Sequence, residues 1–361
     1  MSYRMKHSQN SGFLNKNKID LLSIKDLLTA SKDIDDNLRI DLIENIGQII
    51  GNQENNWIAK NGIEHLVDYI IYRYKFKNYP RWKIIESFPL HLLVEPISIC
   101  NLRCVMCFQS DPSFRTKDYM GKMDFEFFKD IIDQAVENNC KALTLASRGE
   151  PLLHNKFGEM VDYCKNKFFE LKINTNATPL TEELSYAILD AGVDIVVFSV
   201  DSHYKEQYEK IRIDGNFDKI LNNINRFCEI KRLKSQYMKT STRIAGVYLD
   251  ENQSKKDFLT FWGNIVDNVS FSDAVPRWNT YNNGFLNYNE PCSLLWERMY
   301  VWYDGTCNPC DYDYKSILEV GSAKETLLKE IWLGEHYKRY RNLFLNGKRP
   351  SLFPCNRCNL F

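Results

Sequence analysis

From residue 91 to residue 272 the chain alternates short apolar runs with longer segments whose apolar positions recur at three and four. The runs His91–Ile99, Lys141–Ala146, Phe169–Thr175, Asp194–Val200, Thr242–Leu249 and Asn268–Ser272 have strand length. Between them, Asp124–Asn138, Lys156–Lys167, Glu182–Ala191, Phe217–Leu233 and Ser254–Ile265 have helical spacing. Thr181 stands where an N-cap is needed, with Glu182 and Glu183 in the first turn after it. Six strands separated by helices predict an α/β fold with a parallel sheet, and six units fall short of a closed eightfold barrel. Ligands of such sheets sit at the C-terminal strand ends.

Upstream the pattern is helical. Leu38, Leu42, Ile46 and Ile49 form one stripe, and Ile63, Leu66, Val67, Ile70 and Ile71 a second, with Gly51–Asn56 read as a turn between them. No strand pair is expected here, and a helical cap on the main domain is. Residues 1–18 are rich in Asn, Lys and Ser and are expected to be mobile. The expected organisation is a helical extension over 1–80, a barrel over 81–275 and a small C-terminal domain over 276–361.

Composition narrows the function classes. The 361 residues are 44% hydrophobic, enough for a sizeable core. Lys+Arg and Asp+Glu both number 47, so no global field favours nucleic acid or an anionic membrane. No run of about 18 apolar residues predicts a membrane span, and the polar N-terminus lacks the apolar core of a signal peptide. Eleven cysteines without an export signal point to reduced thiols and metal sites in the cytoplasm.

Those cysteines are patterned. Cys100, Cys104 and Cys107 follow the first strand as Cys-x3-Cys-x2-Cys. Three thiolates on one short loop can hold three irons of a [4Fe–4S] cubane and leave the fourth without a protein ligand. Taken alone, the three also fit a zinc knuckle or unrelated thiols. Later strands end in Ser147-Arg148-Gly149-Glu150-Pro151, in Asn174-Thr175-Asn176 and in Ser199-Val200-Asp201, and Arg212 closes Tyr208-Glu-Lys-Ile-Arg212. Glu150 supplies an anionic acceptor and Gly149 permits close backbone approach. Near the C-terminus stand Cys292, Cys310, Cys355 and Cys358, with Gly305 completing Gly-x4-Cys310. Four thiolates can close every iron of a cubane, or bind one zinc.

In this order and spacing the motifs resemble the radical S-adenosylmethionine (SAM) superfamily, over roughly Leu90 to Phe361. The resemblance implies a partial (β/α)6 barrel. Its first cluster would bind SAM at the open iron and cleave it to a 5′-deoxyadenosyl radical. It also implies SAM contacts from Gly149, Glu150, Pro151, Asn174, Asn176, Ser199 and Asp201, with Arg212 on the SAM carboxylate. Arg148, Ala177 and Met106 depart from the family pattern, which has glycine at the first two and an aromatic at the third. The four C-terminal cysteines, with Glu319-Val-Gly321 and Lys329-Glu-Ile-Trp332, resemble the SPASM/Twitch extension in its form with one auxiliary [4Fe–4S] cluster.

The resemblance to enzymes with a single auxiliary cluster implies a carbohydrate-type substrate: an aminosugar, aminocyclitol or nucleotide sugar, undergoing alcohol oxidation or epimerisation. It also implies an external electron donor such as flavodoxin or ferredoxin. Peptide or protein maturation is the rival enzyme reading, and a zinc-stabilised binding module the rival that is not an enzyme. Cys307, three residues before Cys310, reads as a structural thiol, a hydrogen donor or an alternate ligand. Cys140, Cys164 and Cys228 read as core thiols. Arg277, between barrel and extension, reads as a substrate contact or as solvated linker. His91, His154 and His203 stand near strand ends and read as structural.

Overall fold

The computed structural model describes residues 21–31, 34–62, 65–275 and 279–360. The polar stretch 1–18, Ile63 and Arg277 lie outside these. By packing, the chain divides into two units, 1–78 and 79–361.

The first unit is built from α1 (Leu21–Ala30), α2 (Asp36–Ile49), α3 (Asn52–Asn61) and most of α4 (Leu66–Trp82). Asp35 caps α2 by accepting from the backbone of Asn37 and Leu38, and Leu42, Ile46 and Ile49 are buried as the spacing predicts. The turn expected at Gly51–Asn56 is instead the start of α3. The Glu54 carboxylate reaches back to the Gly51 N–H at 2.9 Å and caps the helix. Glu54 is itself buried against Arg73 of α4, 2.8 Å away, so polar residues that read as a turn are held in a helix by a tertiary ion pair. Trp57 stacks on Tyr69 with centroids 3.8 Å apart. Among the described residues, no strand precedes residue 91.

In the second unit the strands are β1 (His91–Val94), β2 (Arg103–Cys104), β3 (Ala142–Leu145), β4 (Glu170–Thr175), β5 (Ile195–Ser199), β6 (Arg212–Ile213), β7 (Ser241–Tyr248), β8 (Asn268–Asp273), β9 (Arg298–Val301), β10 (Thr306–Asn308) and β11 (Gly321–Ser322). The helices between them include α5 (Phe125–Glu137), α6 (Phe157–Tyr163), α7 (Glu182–Asp190), α8 (Lys205–Ile211), α9 (Phe217–Leu233) and α10 (Lys255–Gly263), followed by α11 (Leu328–Trp332) and α12 (Glu335–Leu345). The six predicted strands are β1, β3, β4, β5, β7 and β8, adjacent in that order and parallel throughout. The first ends at Val94 rather than Ile99, because Pro96 has no N–H to continue the ladder and the chain turns there into the cysteine loop.

Three further strands extend the same sheet. β9 lies parallel to β1, pairing Leu92 with Met299 and Val94 with Val301. β10 and β11 add antiparallel beyond it, giving nine strands in all. The C-terminal extension therefore begins as a continuation of the barrel sheet, which sequence spacing did not predict.

One face of the sheet is apolar. Leu143, Leu145, Ile173, Val196, Phe198 and Ile244 pack against Ile131, Ile132, Ile188, Ile224, Phe227 and Trp262 of the helices. Each such side chain contributes about 1.5–3 kcal/mol on burial. The opposite positions are more polar. In β4, Leu171, Ile173 and Thr175 are buried while Glu170, Lys172 and Asn174 remain partly accessible on the other, concave face. No described helix is long and apolar enough to cross a membrane.

Candidate active site

The loop carrying Cys100, Cys104 and Cys107 is pinned on three sides. At its base, Met123 N–H donates to Pro96 O at 2.8 Å and Ser98 N–H to Gly121 O at 3.0 Å. From the end of β3, Glu150 N–H donates to Ile99 O at 3.0 Å. At its tip, β2 pairs with β6, setting Cys104 opposite Arg212. Cys104 is buried, and Cys100 and Cys107 are half-buried. The three lie close enough for a charge on either Cys104 or Cys107 to act on Cys100. Burial, with the Glu150 carboxylate second, pushes the Cys100 thiol up to about 12. Burial pushes Cys104 up to about 11, opposed by the Arg212 guanidinium. Binding iron here requires loss of those protons, which couples metal loading to pH.

Gly149 is fixed by this packing. A Cβ placed on it would lie 2.2 Å from Ile97 O and 2.7 Å from Ile99 O. The close approach is to the stalk of the cysteine loop, where neither partner is a side chain that can turn away. Gly149→Ala is expected to push the loop off the barrel and to lower the iron content of the first cysteine set, read by anaerobic reconstitution and iron assay. Full iron loading in that variant would show that the loop tolerates the displacement.

Glu150 ties two strand ends together. It is almost completely buried, and its carboxylate accepts from Thr175 Oγ1 at 2.6 Å, Asn176 N–H at 2.6 Å and Leu152 N–H at 3.1 Å. Burial pushes its carboxyl up to about 7 against these hydrogen bonds. A carboxylate has about four acceptor positions, so one remains for a ligand ammonium. Pro151 opens a short turn that Glu150 caps. The Asn176 amide donates to Asn101 Oδ1 at 3.0 Å and lies 3.9 Å from the Cys100 sulfur. The Asn174 Oδ1 is buried with no partner.

Two strands away, Asp201 is buried, and its Oδ1 accepts from Val247 N–H at 2.9 Å. Its Oδ2 is 2.8 Å from Arg212 Nε. The charges attract, yet the N–H is not directed at the oxygen, and both atoms stay without an aligned hydrogen bond. Arg212 Nη1 is 3.8 Å from the Cys104 sulfur. The Asp201 and Cys104 charges hold the guanidinium above its ordinary range despite burial. Ser199 ends β5 and is half-buried. The buried Tyr208 hydroxyl, which sequence reading did not single out, lacks a partner and feels both Arg212 and Asp201. The fold thus gathers Cys100, Cys104, Cys107, Glu150, Asn176, Asp201 and Arg212 into one region, with spare hydrogen-bonding capacity of both signs. That combination fits a zwitterionic ligand such as SAM beside a cluster.

Arg148 marks the largest omission from the sequence reading. It is buried, and its Nε and Nη2 donate to the two oxygens of Glu95, itself fully buried, at 2.8 and 2.6 Å. Its Nη1 donates to Tyr314 O at 3.0 Å, and its guanidinium lies 4.2 Å from the Trp302 ring centroid. One side chain thereby binds the ends of β1 and β3 to the C-terminal extension. Ser147 beside it has φ of 137°, a conformation that costs energy for any residue with a Cβ.

Cys292, Cys310, Cys355 and Cys358 approach one another closely enough that the charges of the other three all act on Cys310. Burial pushes all four thiols up. Buried Arg349 donates to Cys358 O at 3.1 Å and Glu290 O at 3.2 Å, and Asn308 to Cys310 O at 2.6 Å. Among the described residues no three His, Cys, Asp or Glu side chains converge as single-ion ligands would; both cysteine sets are wider groupings. Cys307 lies in β10 with no solvent exposure, inside the main apolar core, its sulfur 3.8 Å from Gly305 O. Cys140, Cys164 and Cys228 are buried in the same core. His154 is satisfied at both nitrogens, by Met123 O at 2.9 Å and Lys156 N–H at 3.1 Å. His91 Nε2 meets Thr144 Oγ1 at 2.8 Å, and His203 is half-buried against Tyr204.

Comparison with known proteins matches two parts of the chain to known families. Residues 94–253 match the radical SAM superfamily and residues 292–359 the SPASM iron–sulfur cluster-binding domain. The chain carries a radical SAM domain and a SPASM domain. Radical SAM and SPASM domains use [4Fe–4S] clusters and SAM. Among curated relatives, a tungsten-containing aldehyde ferredoxin oxidoreductase cofactor-modifying protein of Pyrococcus furiosus is 39% identical over 112 residues, 31% of this chain and 30% of that protein. The chain thus matches about a third of that relative's length. Among solved structures, this radical SAM/SPASM chain shares its fold with BtrN in complex with AdoMet and 2-DOIA. There the TM-score is 0.53 and the identity 18%, over 76% of this chain and 94% of BtrN. It shares it also with Streptococcus suis SuiB bound to precursor peptide SuiA, with TM-score 0.56 and identity 17%, over 78% of this chain and 74% of SuiB.

Proposed function

We propose that Cys100, Cys104 and Cys107 hold one [4Fe–4S] cluster and Cys292, Cys310, Cys355 and Cys358 a second. We further propose that the chain acts on a hydroxyl-rich small molecule, an aminosugar, aminocyclitol or nucleotide sugar. Residues 81–275 serve as the SAM-binding barrel and 276–361 as the auxiliary part, in a cytoplasmic protein reduced by a flavodoxin or ferredoxin. The first cluster with SAM supplies a 5′-deoxyadenosyl radical that removes hydrogen from a C–H bond. Glu150 takes the SAM ammonium in its remaining acceptor position, and Arg212 takes the carboxylate. Gly149, Pro151, Asn174, Asn176, Ser199 and Asp201 shape the cradle around them.

The observation that carries the substrate class is the polar concave face of the sheet. Lys172 and Asn174 of β4, Ser199 of β5 and Arg243 of β7 occupy its accessible positions, with Thr144 and His91 beside them. Ile195 and Val197 of β5 share this face, so the lining is mixed, and its several hydrogen-bonding groups suit a ligand that carries hydroxyls. Extended peptides are commonly held by an added strand, and among the described residues the N-terminal unit consists of helices alone. Oxidation is favoured over inversion at carbon. Inversion needs a hydrogen returned to the opposite face, and the four cysteines outside the two sets, Cys307 included, are sealed in the core. Arg277 is retained as a substrate contact from the linker.

The test is anaerobic: reduced, reconstituted protein with SAM, challenged with panels of aminosugars, nucleotide sugars and short peptides. Sugars are expected to raise 5′-deoxyadenosine above the uncoupled level. Stimulation by peptides alone would replace this reading with peptide maturation. In the same protein Glu150→Gln is expected to weaken SAM binding by roughly 1.5–3 kcal/mol, the value of a charge-assisted hydrogen bond. Equilibrium dialysis with labelled SAM measures it, and unchanged affinity would move the ammonium site elsewhere.

A further inference from the structure

Lys172 is a cation without a counterpart. It lies mid-strand in β4, with Thr144 of β3 and Ile195 of β5 as its register partners. Strand alternation sends Leu171 and Ile173 into the core and Lys172 onto the concave face. Among the described residues its ammonium has no hydrogen bond and no ion pair. Every other cation near it is engaged: Arg243 donates to Ser270 Oγ at 3.1 Å, and Arg298 of β9 pairs with Glu297. A lysine held this way is expensive. Burial, with Arg298 and Arg243 adding repulsion against the attraction of Glu170, pushes its ammonium down to about 8. Partial exposure and the attraction of Glu170 offset that cost only in part, since among the described residues no hydrogen bond or ion pair reaches the ammonium.

Next along the same face is Asn174, whose buried Oδ1 also lacks a partner. Asn176 follows, against Cys100. Two residues of strand advance about 6.6 Å, so Lys172 and Asn176 are separated by roughly 13 Å of strand, comparable to the length of a phosphorylated sugar. Both unsatisfied groups therefore lie on one line that ends at the first cysteine set.

We infer that Lys172 anchors an anionic group of the substrate, a phosphoryl or carboxylate, with Asn174 taking a neighbouring hydroxyl. This rests on the reading of the concave face as the substrate site, and it narrows the class from hydroxyl-rich molecules to those that also carry an anion. An ammonium short of partners gains a charge-assisted hydrogen bond on binding, and the anion draws the proton back. Lys172 faces Glu170 on its own strand, Arg243 from β7, Arg298 from β9, and the His91–Thr144 pair from β1 and β3. The two arginines remain charged across the neutral range and acetate stays fully ionised there, so a loss of acetate binding between pH 7 and 9 belongs to Lys172, whereas phosphate titrates in that range itself and serves only the comparison at fixed pH. As the pH rises through its titration, Lys172 loses charge and the anion is released.

Isothermal titration of the anaerobically reconstituted holoprotein with inorganic phosphate, and separately with acetate, tests this, using wild type, Lys172→Met and Lys172→Arg. Wild type is expected to bind one or both saturably, and the preferred anion identifies phosphoryl or carboxylate. Lys172→Met is expected to lose about tenfold or more in that affinity, as a lost charged partner implies, and Lys172→Arg to recover most of it. Wild-type acetate binding should fade from pH 7 to 9 while that of Lys172→Arg does not. Because Met removes an uncompensated cation, its melting temperature should equal or exceed that of wild type. Equal affinity in wild type and Lys172→Met, no saturable anion binding, or a lowered melting temperature alongside lost binding would each overturn the assignment. Aminosugars without an anionic group that stimulate 5′-deoxyadenosine formation, in the absence of any anion binding, would overturn this anchor and leave the wider substrate reading standing. Failure of every sugar would remove both.

Discussion

Replacing Cys100, Cys104 and Cys107 together by alanine is expected to abolish SAM cleavage and to lower iron from about eight to about four per chain, by the stoichiometry of two cubanes. On the proposed assignment these three thiols are the whole protein share of the first cluster, so the loss should be complete, with Glu150, Asn176 and Arg212 left as a cradle around nothing reducible. The remaining iron reports on Cys292, Cys310, Cys355 and Cys358, which are held by other contacts, among them those of Arg349 and Asn308. Iron analysis and chromatographic assay of 5′-deoxyadenosine measure the two effects. Residual SAM cleavage, or iron falling to zero, would show that the two cysteine sets are not independent. Zinc at about one per chain in the unmodified protein, with no charge-transfer absorption, would overturn both cluster assignments.

The second large effect concerns stability. Glu95→Gln keeps the shape of the side chain and removes its charge, leaving the buried Arg148 guanidinium with neutral partners alone: the new amide oxygen, Tyr314 O and the Trp302 and Phe114 rings. Breaking one side of a buried pair costs about 3–5 kcal/mol, which for a domain of this size lowers the melting temperature by on the order of 10 °C. The double variant Glu95→Leu with Arg148→Met removes both charges and should recover most of that loss. Calorimetry of the three proteins gives the answer. An unchanged melting temperature in Glu95→Gln would mean that the pair is hydrated and contributes little.

The six parallel strands were legible because each carries an apolar face or run that only a packed sheet satisfies, as in Ile195–Ser199. The candidate site was drawn from residues at the ends of those strands, in an order that resembles a known family, and the fold brings Cys100, Glu150, Asn176, Asp201 and Arg212 together. Other features had no local signature. The Arg148–Glu95 pair joins two strand ends far apart in sequence, and Arg148 drew notice only as a departure from a motif. α3 is disguised by asparagines, and its cap and Glu54–Arg73 pair exist only after folding. β9 is four residues long, and its pairing with β1 depends on a contact that no periodicity encodes. Lys172 was hidden by ambiguity: Glu-Leu-Lys-Ile-Asn-Thr alternates like any half-exposed strand, and alternation does not tell whether the polar side meets bulk water or an enclosed face.

The parallel pairing of β9 with β1 bears on electron flow. The barrel and the extension belong to one compact unit, joined by continuous backbone hydrogen bonds and by Arg148. A sheet does not flex along its ladder as a linker does. The ladder therefore resists any change in the spacing between the strands that lead into Cys100 and Cys310, β1 and β10. Tunnelling rates fall exponentially with distance, so two redox centres held beyond those strands would exchange an electron over a gap that the sheet helps to hold.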